Sequence, residues 1–150
     1  MAVNKLNLKT FEVLEKVGKA RSKEQKIKIL KEHETWALKD VLLGTYSEGI
    51  EFNLPPGEPP YKASQPHNAP TDLQRKNTEF RYFFKGGPGD KMSALKREGL
   101  FIGLLEVVHP EDAKVVIRMI NKDKFQGISK NVVTEAFPCL LYTSPSPRDS

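Results

Sequence analysis

Cysteine is almost absent: the 150 residues carry one, Cys139. A lone thiol excludes an intrachain disulfide framework and any multi-cysteine metal site, and it suits a reducing compartment. The chain has no apolar run near the ~20 residues that a membrane-crossing helix needs. Residues 1–6 lack the apolar core of a signal peptide, so the cytoplasm is the expected compartment and a membrane is not an expected partner. The histidines His33, His67 and His109 stand at no ligand spacing, so neither a metal nor a cofactor is expected. There is no Ser/His/Asp order, no pair of carboxylates near a histidine and no Lys-x-Asp-Gly nucleotidyl-transfer motif. With no catalytic constellation, a non-enzymatic protein is expected. No internal repeat is evident.

What the chain does have is a basic balance, 24 Lys and Arg against 19 Asp and Glu, a net charge of +5. That favours an anionic partner, nucleic acid being the commonest, although a lysine-rich solvated surface has the same composition. The length is about that of one domain, enough to bury roughly two thirds of the unfolded surface. Residues 139–150, Cys-Leu-Leu-Tyr-Thr-Ser-Pro-Ser-Pro-Arg-Asp-Ser, resemble the translation of a transposase-type sequencing adapter. They are set aside, with the native domain expected over 1–138. Because Arg148 and Asp149 cancel, the net charge is still +5 without them.

Helical periodicity dominates. Phe11, Leu14 and Val17 predict a helix over 10–19. Ser22 and Gln25 have the form of a capping box for a second helix, with Ile27, Ile29 and Leu30 inward and Lys23, Lys26, Lys28 and Lys31 outward. A third helix is predicted over 34–43, with Trp36 or Ala37, Val41, Leu42 and Leu43 inward and Gly44 as its stop. Residues 45–52 read as extended. Prolines at 55, 56, 59, 60, 66 and 70 then forbid a helix or an inner strand, so 53–70 is expected to be a long loop. Pro-Pro-Gly-Glu-Pro-Pro-Tyr within it also has the form of a ligand for aromatic-grooved modules. A fourth helix, capped by Thr71, is predicted over 72–85, with Leu73, Lys76 or Asn77, Phe80 and Phe84 on one face, Phe83 widening it, and the aromatic stripe as core.

Asp90 is expected to cap a fifth helix over 91–108, whose several apolar stripes predict the most buried element. Gly99 and Gly103 within it would admit a close neighbour. His109 and Pro110 mark the start of a sixth helix over 110–121. Ser129 caps a short seventh over 129–137. The fold class expected is therefore all-α, a single domain of six or seven short helices with a long Pro-rich loop.

Two turns carry candidate chemistry. Lys85-Gly-Gly-Pro-Gly-Asp-Lys91 lacks the Gly-Lys-Ser/Thr ending of a phosphate loop, and Pro88 removes an amide, so it reads as an interhelical turn. Its flanking Lys85 and Lys91 remain candidate phosphate contacts. Phe125-Gln126-Gly127-Ile128-Ser129 is the more specific signal. Gly127 permits a tight turn, and the amides of Ser129, Lys130 and Asn131 would stand free at a helix start, where donors and dipole favour an anion. Lys124 and Lys130, with Lys122 as a further candidate, add charge, and Gln126 lies in the same turn. An ordinary capped helix with Val132, Val133, Ala136 and Phe137 inward accounts for the packing equally well.

Two resemblances follow from these segments. Over 11–138 the chain resembles a small uncharacterised protein family of large tailed phages, notably those of marine cyanobacteria. The residues that carry this are Lys-Ile-Leu-Lys-Glu-His-Glu-Thr-Trp-Ala-Leu-Lys at 28–39, the Pro-Pro-Gly-Glu-Pro-Pro-Tyr loop and the Glu-Ala-Phe-Pro segment ending at Pro138. More distantly, the order of elements is similar to the N-terminal α-helical DNA-binding domain of ATP-dependent DNA ligases. There the residues are Ser22–Leu30, Thr45-Tyr-Ser-Glu-Gly-Ile50 and 123–138. The second resemblance implies a sequence-independent grip on duplex DNA through phosphates, with Gly127, Ser129 and Lys130 in that role. The Pro-rich loop is no part of that ligase pattern, and no catalytic domain is present. The functions expected are thus a phage accessory protein that binds DNA, an adaptor for a phage or host replication or transcription protein, or the N-terminal part of a ligase.

Overall fold

Side-chain caps carried by the sequence start most of the helices in the computed structural model, which describes residues 8–138 and 140. Ser22 starts α2 (Lys23–Glu32), Thr35 α3 (Trp36–Tyr46), Asp72 α4 (Leu73–Lys76) and Ser93 α5 (Ala94–Val107), each accepting from a backbone amide of the first turn. His109 Nδ1 accepts from Glu111 N and starts α6 (Pro110–Ile120), and Ser129 starts α7 (Lys130–Ala136). At α1 (Thr10–Lys19) the Glu12 carboxylate reaches back to Lys9 N. Such caps satisfy amides that have no partner inside the helix.

Among the described residues the architecture is all-α, with 3-10 segments at Asn77–Tyr82 and Pro88–Lys91 and one isolated antiparallel bridge between Phe52 and Phe84. Helix α6 packs against α1, α3 and α5, and α2 lies between α1 and α7. Leu140, within the segment set aside above, is buried and donates to Phe137 O; the rest of 139–150 lies outside the described residues.

Several expectations are corrected. The most buried helix is α3, with nine of its eleven residues buried, whereas α5 buries Phe101, Leu104 and Leu105 and leaves Leu95 83% exposed. Trp36 is exposed and Ala37 takes the core position. Gly44 does not stop α3; it lies inside the helix, where a Cβ would sit 2.8 Å from the Met119 side chain. It is a contact glycine that lets α6 approach. Gly99 and Gly103 have no such neighbour.

The predicted fourth helix is one α-turn that tightens into a 3-10 segment. Buried Leu73 and Asn77 are four apart, but Asn77, Phe80 and Phe83 are three apart, the repeat at which 3-10 side chains align. Asp72, not Thr71, caps it. Asp90 does not cap α5. Its carboxylate accepts from Gly86 N and Asn53 Nδ2, closing the glycine turn on itself, and these bonds hold it below its ordinary value. Residues 45–52 are not extended throughout, because α3 continues to Tyr46.

The loop over 53–70 is fastened across α5 and α6. Gly57 exchanges two hydrogen bonds with the Asn121 amide, Lys62 N donates to Glu106, and Ser64 Oγ donates to Val108 O. Tyr61 is half-buried against the core, so the tyrosine of the Pro-Pro-Tyr motif is turned partly inward.

One buried carboxylate ties α1 to α6. Asp112 is fully buried; Oδ1 accepts from Phe11 N at 2.9 Å, and Oδ2 has no partner. Burial pushes it up from 3.8 to about 6, with Asp72 and Glu12 adding to the rise and Phe11 N and Lys9 opposing it. Between those values the folded chain holds a proton that the unfolded chain has released, so this group costs stability as pH rises through the window. Replacing Asp112 by Asn is therefore expected to change little near about pH 4 and to add up to about 3 kcal/mol above about pH 7. Urea unfolding of both proteins across that range measures it.

Candidate nucleic-acid interface

The segment between α6 and α7 is shaped by what it must satisfy beneath it. Gly44, Ser47 and Ile50 are buried at the exit of α3. Lys122 Nζ donates to all three of their carbonyls, at 2.7, 2.7 and 2.9 Å. Lys122 has a left-handed backbone, φ 58°. Burial pulls its ammonium below the ordinary lysine value. Lys122 is thus a structural cap on α3, which corrects its reading as a source of phosphate-binding charge.

Tyr46 holds the next residues. Its hydroxyl accepts from Phe125 N at 3.0 Å and donates to Ile128 O at 2.7 Å, and Ile128 N returns to Phe125 O at 3.1 Å. Burial raises the phenol above its ordinary value, so it stays a donor. Arg118 lies over the Phe125 ring and donates to Lys124 O. Gly127 has φ 78°, and a Cβ there would sit 2.7 Å from Gly18 O. Its glycine is required by the backbone and by contact with the end of α1, a reason independent of any ligand.

Six of the predicted residues, Lys124, Gln126, Gly127, Ser129, Lys130 and Asn131, come together as an exposed surface around this turn. The Ser129 hydroxyl is engaged, accepting from Val132 N at 3.2 Å. Helix α7 has only seven residues, so its dipole is short. Lys85 and Lys91 are elsewhere, flanking the closed glycine turn, where Lys85 pairs with Glu51 at 3.2 Å.

In their place the fold supplies cations from the first two helices. Lys26 Nζ donates to Gly127 O at 2.5 Å, Lys23 pairs with Glu135, and exposed Lys19 follows Gly18, which touches Gln126. Lys130 stands 3.7 Å from the exposed Glu48. The outward periodicity of α2 marks Lys23 and Lys26 as surface residues. Nothing in the sequence joins Lys26 to a turn 101 positions away. Among the described residues no group of three or more His, Cys, Asp or Glu side chains is placed to hold a metal, and no helix is long and apolar enough to cross a membrane.

Replacing Tyr46 by Phe leaves a buried amide and a buried carbonyl without their partner. It is expected to cost about 2–3 kcal/mol in denaturant unfolding.

No curated protein matches the chain. Residues 13–126, a span that contains Lys85, Lys91, Lys124 and Gln126, match the domain of unknown function DUF6433, and the chain belongs to that family.

Proposed function

We propose that the chain is a phage-encoded, non-enzymatic accessory protein. It binds DNA without sequence preference, through phosphate contacts, in the cytoplasm of an infected host. The observation that carries this is the gathering of Lys19 and Lys26 beside Lys124 and Lys130 around one exposed turn. A turn anchored from beneath holds those cations at little further ordering cost, which suits a rigid phosphate-reading surface. The net charge and the likeness of 22–30, 45–50 and 123–138 to the ligase DNA-binding domain support the same reading.

A second reading is favoured by one feature. Pro55, Pro56, Glu58 and Pro60 form an exposed ridge on a loop already fastened to α5 and α6, a pre-ordered surface for a phage or host protein. Deletion of 53–70 that abolishes partner capture and spares DNA binding would favour it.

Fluorescence anisotropy with labelled duplex is expected to show binding at about 50 mM salt that weakens steeply as salt rises. Lys124→Ala with Lys130→Ala should lower the salt slope by about two, one for each lost phosphate contact. Ser129→Asp keeps a capping oxygen but adds a negative charge, and should weaken binding with the circular dichroism unchanged. Absence of binding at low salt would sink the proposal.

A further inference from the structure

Between α1 and α6 runs an open groove of about 540 Å³ that ends at the basic turn. Its size lies within the ~300–1,000 Å³ usual for small-molecule sites. The floor is apolar and aromatic, made by Phe11, Leu14, Val115 and Phe125. Phe11 is half-buried and its ring stacks on His109 with centroids 4.6 Å apart, so it is held in place as a platform. At the end near the turn the groove is bounded by Gly18, Lys19 and Gln126, so one wall is shared with the lysine surface described above.

Charge is sorted along this wall. Lys19 and Arg118 stand at the end nearest Phe125 and Gln126, and exposed Lys124 is tied to Arg118 through its carbonyl. Glu15 also lines the groove, as does Glu111, which pairs with Lys114 at 3.3 Å. A phosphate is favoured at the lysine end and disfavoured beside Glu15 and Glu111. A neutral ring is favoured over the apolar floor, where the Glu15 carboxylate and the Gln126 amide offer an acceptor, and an acceptor and donor, to its edge.

We propose that this groove receives an unpaired nucleobase, so that the preferred ligand is DNA with a single-stranded stretch rather than intact duplex. This rests on the DNA reading above and narrows it. Base pairs inside a duplex present only their edges, whereas a stacking platform needs a free base face. The lysines hold the backbone at the mouth of the groove, and the base lies over Phe11, beyond the Phe125 ring that Arg118 covers.

An abasic strand separates the two contributions, because it keeps the phosphates and removes the bases. Anisotropy at about 50 mM salt is expected to show a normal single strand binding about tenfold more tightly than an abasic strand of equal length, the size of one base–aromatic stack. The normal strand should also bind more tightly than intact duplex. Phe11→Ala should abolish the preference. Because Phe11 also supports the fold, the exposed pair Glu15→Ala and Gln126→Ala is the second variant and should reduce the preference with the circular dichroism unchanged. Lys124→Ala with Lys130→Ala should weaken all three ligands alike.

Equal affinity for normal and abasic strands overturns the inference and leaves the phosphate reading standing. A preference that survives both groove variants also overturns it. Failure to bind any of the three overturns both.

Discussion

Lys122 is the constraint on which the C-terminal third depends. Helix α3 is the most buried helix, and Gly44, Ser47 and Ile50 at its exit are buried as well. Leaving one buried carbonyl unpaired costs about 1–3 kcal/mol, and one ammonium serves three of them here. That saving outweighs the roughly 1–2 kcal/mol of a left-handed backbone at a residue with a Cβ. Beyond Lys122, Asp123 N donates to Arg118 O, and the Arg118 guanidinium donates to Lys124 O. The Tyr46 hydroxyl then takes both ends of the turn that follows.

This arrangement separates structural cations from those left at the surface. Lys122 is half-buried with its ammonium engaged by carbonyls and Arg118 holds Lys124 O, while Lys124 and Lys130 face solvent. Lys26 reaches the turn by donating to Gly127 O, so α2 is joined to it directly as well as through α7. The proposed surface is therefore assembled from three parts of the chain on a turn that is held at the α3 exit. The α1–α6 groove opens at the same place because Gly18 and Gln126 are in backbone contact there.

The readings that held are local ones. Ser22, Ser129 and the His109–Pro110 pair mark helix starts because a cap needs only its own first turn. Local signals did not hold where a partner from elsewhere in the chain overrides them. Gly44 has the appearance of a stop until Met119 and Phe52 are seen against it. Asp90 resembles a cap, but Asn53 and Gly86 engage its carboxylate first. Phe80, Phe83 and Phe84 are core as expected, yet the change from four-residue to three-residue spacing that makes 77–82 a 3-10 segment is set by packing, which periodicity over a few residues does not resolve.

The sequence by itself determined the all-α class, most of the helix starts, the irregular Pro-rich loop and the turn at Gly127. Each of these follows from backbone propensity and from side chains a few residues apart. Only the tertiary structure decided which lysines are available. Lys122 and Lys124 are neighbours of identical chemistry in the chain, and one is half-buried with its ammonium on three carbonyls while the other is exposed. Desolvation and hydrogen-bond partners distinguish them, and those partners, Gly44, Ser47 and Ile50, lie 72 to 78 residues away.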